Sequence, residues 1–92
     1  MKIIWSQHAQ LSYLEILEEV YEKWNFETVS RFETEITELI ERILNYNHIC
    51  PKSKIVHLHR CVVNRHISLI YRKVDNIIEI ITLVFNQSNH SF

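Results

Sequence analysis

The sequence predicts an α+β fold, a helical hairpin packed on a mostly antiparallel four-stranded sheet in the order β-α-α-β-β-β. Two consecutive stretches in the first half carry apolar residues at three- and four-residue steps, with at most two residues between them. Beyond residue 57 that period gives way to three β-favouring runs joined by tight turns, and one more such run opens the chain. The 92 residues, 47% of them hydrophobic, suit one domain over residues 1–92.

The opening run, Lys2, Ile3, Ile4 and Trp5, favours strand and ends at Ser6, a good N-cap. From residue 6 to 24, Tyr13, Leu14, Leu17, Val20, Tyr21 and Trp24 trace the apolar side of a helix. Glu15, Glu18, Glu19, Glu22 and Lys23 form its wet side. Asn25 breaks the pattern and caps a second helix, from about Phe26 to Asn45. Val29, Phe32, Ile36, Leu39, Ile40 and Ile43 are its stripe, and Glu38–Arg42 is a supportive i,i+4 pair. So short a connection turns the two helices into an antiparallel hairpin. Asn45, Asn47 and Pro51 end the helical region, and a polar loop runs from His48 to His57. Residues 60–63 read as a strand, Asn64-Arg65 as a turn and residues 66–72 as the next strand. Residues 73–76 form a turn suited to Asp75-Asn76. The last strand, Ile77 to Phe85, is apolar except at Glu79 and Thr82, as a central strand covered by helices should be. The chain has no glycine, so its seven asparagines are the expected holders of left-handed backbone positions.

A net charge of −1 conceals an asymmetry. Residues 15–43 hold nine Glu against Lys23, Arg31 and Arg42, whereas residues 44–92 hold six Lys and Arg against Asp75 and Glu79. A basic second half suggests an anionic partner such as nucleic acid. No apolar run approaches the roughly 20 residues of a membrane span. The opening MKIIWSQH is too short for a secretory apolar region, and a cytoplasmic location is expected. Cys50 and Cys61 form no CxxC pair or zinc spacing. Two unpatterned thiols suit a reducing compartment, with a disulfide between them as the alternative. His57, His59 and Cys61 alternate and would share one strand face, but with no fourth ligand they read as a polar strand edge with one packed thiol.

MKIIWS, the Glu-rich hairpin ending in PKSK, HRCVVNRHISLIYR and IEIITLVFNQSN together resemble the RelE/ParE toxins, over essentially the whole chain. The most specific stretch is VVNRHISLIYRKVDNIIEIITLVF. The resemblance implies the toxin half of a bacterial type II toxin–antitoxin module, as in plasmid stabilisation, with one of two activities. RelE-like members cut messenger RNA in the ribosomal A site with the 2′-hydroxyl as nucleophile. ParE-like members poison DNA gyrase and need no catalytic group. One fold supports both.

Under the nuclease reading, the resemblance assigns phosphate contacts to Lys52 and Lys54. Arg60 and Arg65 suit phosphate as guanidinium forks. Arg72 matches the family's Tyr-Arg position, with Tyr71 turned to the opposite face and into the core. His66, beside Arg65, and Gln87 are further RNA-contact candidates. Many relatives carry an arginine where this chain has Gln87, and loss of such a charge costs about 3–4 kcal/mol of barrier, or 10²–10³ in rate. Some nucleases of the family end in a His-Tyr pair. Here His90 could serve as acid or base, but Phe92 lacks the hydroxyl. The resemblance implies no metal or cofactor. Its partners would be a cognate antitoxin, with the ribosome and message, or gyrase, as target. Operator DNA would be met only through the antitoxin, because this chain has no helix-turn-helix. Trp5 and Trp24 are possible antitoxin contacts, although core burial is the expected fate of both indoles. A degenerate toxin that only binds its antitoxin is the third reading.

Overall fold

The computed structural model describes residues 1–46 and 49–92, so the expectations for Asn47 and His48 lie outside the described residues. The elements follow in the order β1 (Lys2–Trp5), α1 (Gln7–Lys23), α2 (Phe26–Asn45), β2 (His59–Val62), β3 (Ile67–Val74) and β4 (Ile77–Phe85). The sheet order is β1-β4-β3-β2, with β1 parallel to β4 and the other pairs antiparallel. The expected α+β arrangement is the one formed.

Local chemistry starts both helices. The Ser6 hydroxyl accepts from Ala9 N–H at 2.9 Å, and Asn25 Oδ1 accepts from Thr28 N–H at 2.9 Å, so each cap satisfies a donor the first turn cannot. Helix α2 buries Val29, Phe32, Ile36, Leu39 and Ile43, with Ile40 packed at the margin, as its stripe predicts. Helix α1 is rotated from expectation. Ala9, Ile16 and Val20 are its buried residues and Tyr13 and Leu17 flank them, while Leu14 and Tyr21 stay 62% and 59% exposed.

The edge of β4 sets that rotation. Strand β1 pairs only with residues 77–80, leaving the second half of β4 open on that side. Two serines of the α1 region close the gap. Ser6 Oγ donates to the Ile81 carbonyl at 2.9 Å, and Ser12 Oγ accepts from Leu83 N–H at 3.1 Å. An unpaired buried backbone group costs roughly 1–3 kcal/mol, so the face bearing Ala9 and Ser12 turns inward and Leu14 turns out.

In β3 and β4 the register slips between Ile70↔Thr82 and Tyr71↔Ile80, and Ile81 is the extra residue. Ile67, Leu69 and Tyr71 of β3 face the helices with Cys61 of β2. Arg60, Ser68, Ile70 and Arg72 share the opposite face by strand alternation and by the Arg60↔Ile70 pairing.

Several expectations need correction. Positive φ falls on His57 (69°) and Asp75 (54°), and on no described asparagine. Asp is one of the few residues that tolerate this region. The strand after Asn64-Arg65 continues to Val74, leaving a two-residue turn at Asp75-Asn76. Ion pairs along the helices form at Glu19–Lys23 and Arg31–Glu35, and Glu38–Arg42 is not among those of the described residues. Trp5 packs against the core, but Trp24 is 48% exposed at the hairpin turn. Cys50 and Cys61 form a disulfide, with Cα atoms 5.2 Å apart. The loop after α2 runs beside β2, with Arg60 N–H donating to Pro51 O at 3.0 Å and Lys52 bridged to His59, and this brings the two thiols together. No helix among the described residues is long and apolar enough to cross a membrane.

Candidate nucleic-acid interface

The basic residues expected from the sequence fall into separate groups. Lys52 and Lys54 line a cleft of about 490 Å³ with His57, His59 and Lys73, and no acidic side chain lines it. His59 is fixed there by its Nδ1, 3.1 Å from the Cys50 carbonyl, and by stacking on Tyr71 at 5.0 Å between ring centroids. Tyr71 is wholly buried, as expected, and burial pushes its phenol pKa up. Lys73 escaped the sequence reading because it was placed in a turn. In the longer β3 it falls two residues after Tyr71 and on the same face.

Arg60 lies on the other face of the sheet. Its Nε donates to Ser68 Oγ at 3.3 Å, and one Nη donates to Asn86 Oδ1 at 3.2 Å. Arg60 takes part in none of the ion pairs among the described residues. Arg72 differs, because its Nε sits 2.6 Å from Glu79 Oε1 on the neighbouring strand, so an opposite charge lies against it. Arg72 thus already has a carboxylate partner, whereas Arg60 has none among the described residues.

Arg65, His66 and Gln87 meet in a second cleft of about 490 Å³, walled by Trp24 and by Lys23 and Glu19 of α1. The His66 ring lies 5.3 Å from Trp24 and 6.0 Å from Phe32 between centroids. The aromatic contacts make His66 a packed side chain at the cleft wall.

The chain end returns to the lysine loop. Ser53 Oγ donates to the Phe92 carbonyl at 3.4 Å, and Phe92 N–H donates to His90 Nδ1 at 3.2 Å. With Nδ1 accepting, a neutral His90 ring carries its proton on Nε2. That Nε2 is the one buried side-chain nitrogen or oxygen without a partner among the described residues. A buried donor left unsatisfied costs about 1–3 kcal/mol and is a place where a ligand acceptor is favoured.

His57, His59 and Cys61 do not assemble as ligands, since Cys61 is bonded to Cys50. Among the described residues no group of three His, Cys, Asp or Glu side chains is placed to hold a metal ion. The sequence reading missed Asn86, Ser68 and Asn64. A polar residue in the buried strand run ISLIY was the available signal for Ser68.

No protein-family model matches the chain, and no curated protein matches it by sequence. Solved structures do. A chain of the chromosomal ParDE toxin–antitoxin system from P. aeruginosa superposes with a TM-score of 0.80 at 16% identity, over 92% of this chain and 95% of that one. The chain has the ParE/YoeB toxin fold. A YoeB/ParE toxin from Agrobacterium tumefaciens matches with TM-score 0.67 at 16% identity, over 94% and 99% of the two chains. The YoeB dimer from Staphylococcus aureus gives 0.62 at 18% identity, over 89% and 92%. On this toxin fold the acid-free cleft, Arg60 and the C-terminal tail all gather around β2 and the loop before it.

Proposed function

We propose that this chain is the toxin of a type II toxin–antitoxin module, and that it inhibits growth in the cytoplasm by cleaving messenger RNA on the ribosome. The placement of His90 carries this reading. Its Nε2, buried without a partner, belongs to a tail held against the loop of Lys52 and Lys54. Cleavage by a 2′-hydroxyl needs cations for the developing phosphorane charge and an acid for the leaving oxygen. The lysine cleft supplies the first, with Arg60 on the other face of the sheet for the flanking backbone. His90 would supply the second as an imidazolium, for which Nδ1 must release the Phe92 N–H and take up a proton of its own. The reaction as read needs no metal or cofactor.

A cognate antitoxin would mask the toxin. Exposed Leu11, Leu14, Tyr21 and Trp24 offer apolar surface along α1 and the hairpin turn, and acidic antitoxin residues would face Arg60 and Arg65. Operator DNA would be bound by the antitoxin.

Primer extension on a defined message in a reconstituted translation reaction tests the reading. New 5′ ends should appear only when ribosomes are present, and His90→Ala should lower their yield by about 10². Intact message with normal translation would remove the nuclease. A second reading, ParE-like inhibition of DNA gyrase, draws support from the 0.80 TM-score to the ParDE chain and from Gln87 and Phe92, which lack the arginine and hydroxyl of many nuclease relatives. Inhibited supercoiling with message left intact would establish it.

A further inference from the structure

Arg60 is held by neutral groups alone, and the holder is itself anchored. Asn86 Oδ1 accepts from the Arg60 guanidinium at 3.2 Å and also from the Ser68 hydroxyl. The Asn86 amide has no freedom to turn away, because its Nδ2 donates to the Asn64 carbonyl at 3.0 Å. Its backbone N–H donates to the His66 carbonyl at 2.8 Å, continuing the β3–β4 pairing past Phe85. Asn64 is tied in turn. Its Oδ1 accepts from the backbone of His66 at 2.8 Å and Ile67 at 3.1 Å, and its Nδ2 donates to Glu35 of α2 at 3.1 Å. A connected chain of hydrogen bonds thus runs from α2 across the β2–β3 turn to the Arg60 guanidinium.

Arg72, on the same face, is fixed by a carboxylate at 2.6 Å. A carboxylate orients a guanidinium and also cancels its charge, whereas an amide and a hydroxyl orient it and leave the charge whole. Ser68 is fully buried, so its hydroxyl is useful there only to its partners.

We propose that Asn86, with Ser68, is a positioning residue that presents Arg60 as an uncancelled charge to the RNA backbone. The inference rests on the nucleic-acid reading of the preceding subsection. The guanidinium donors not used by Ser68 and Asn86 remain for a phosphate, and the rotamer is fixed before the phosphate arrives, which lowers the ordering cost of binding.

The test uses the full chain and a short fluorescein-labelled 2′-O-methyl RNA, which keeps every phosphate but lacks the reactive hydroxyl. Binding is followed by anisotropy, and hydrogen exchange of the Arg60 Nε–H by NMR. Asn86→Ala should speed that exchange and weaken binding about tenfold, in the range of one hydrogen bond to a charged group. Placed in an Arg60→Ala background, the same change should weaken binding no further. Asn86→Asp should keep the Nε–H protected yet weaken binding, because the new carboxylate cancels the charge it holds. Should Asn86→Ala fail to fold, Ser68→Ala is read in the same way. Equal weakening by Asn86→Ala in both backgrounds, or unchanged Nε–H exchange, would overturn the positioning role. Binding that survives Arg60→Ala intact would likewise overturn the role, whereas no binding by the unaltered chain would overturn the nucleic-acid reading on which the role depends, so the two failures are seen in different proteins.

Discussion

Among single residues, neighbours decide more than identity. Arg60 and Arg72 share a sheet face, but one meets an amide and a hydroxyl and the other a carboxylate. The sequence lists both as basic strand residues, and nothing in a one-dimensional pattern pairs Arg72 with Glu79 across a turn whose length was misjudged. Tyr71 was legible, because strand alternation alone turns it from Arg72 into the core. Its environment also gives a prediction. Burial raises its phenol pKa above the ordinary value of 10.0, as burial and the Glu33 charge do for Tyr13. Below that value the phenol is neutral in both folded and unfolded chains, and the full stabilisation is present. Above it the unfolded chain loses the proton first, so stability falls as pH rises through the folded pKa. Urea unfolding followed from neutral pH to beyond pH ~10 should show this loss, and Tyr71→Phe should make it shallower.

Elements were read well wherever one pattern had no rival. Helix α2 has a single stripe and a good cap, and strand β4 is apolar but for Glu79 and Thr82, and both take the bounds expected of them. Helix α1 carries apolar residues on more than one side. Periodicity alone favoured the larger Leu14 and Tyr21 over Ala9, yet Ala9 and Ser12 are small enough to sit on the open edge of β4. That choice depends on β1 being short, which is a tertiary fact. The loop between α2 and β2 held a second surprise in the Cys50–Cys61 bond, since an eleven-residue separation carries no recognisable signature. Closing a loop of that size removes about 2–3 kcal/mol of unfolded-state entropy in the chain model. Urea unfolding with and without a phosphine reductant should therefore differ by about that amount. Exchange protection lost on reduction should be concentrated in residues 49–60, around the lysine cleft. Equal stability in both conditions would remove the bond as a stabiliser.

Across the whole molecule, the charge asymmetry of the sequence becomes a division of labour between layers. Acidic side chains solvate the outer faces of α1 and α2, and most cations outside ion pairs lie on the loop and strands beyond the hairpin. The fold class was legible because the order of periods admits few packings. The candidate site was only partly so. Its cations were visible apart from Lys73, but the neutral residues that hold Arg60 come from three separate stretches, around residues 64, 68 and 86.

The placement of β1 beside β4 bears on when the molecule can act. The first strand made on the ribosome has no partner until the last one emerges, and β4 is also the strand on which α1 closes. Such wide separation in sequence makes assembly slow and late. A chain stopped at residue 76 should show no cooperative unfolding by circular dichroism, whereas the full chain should. On the proposed toxin reading, a chain cut short before the final strand would be inert, and the inhibitor would be harmless to the machine that makes it until its synthesis is all but complete.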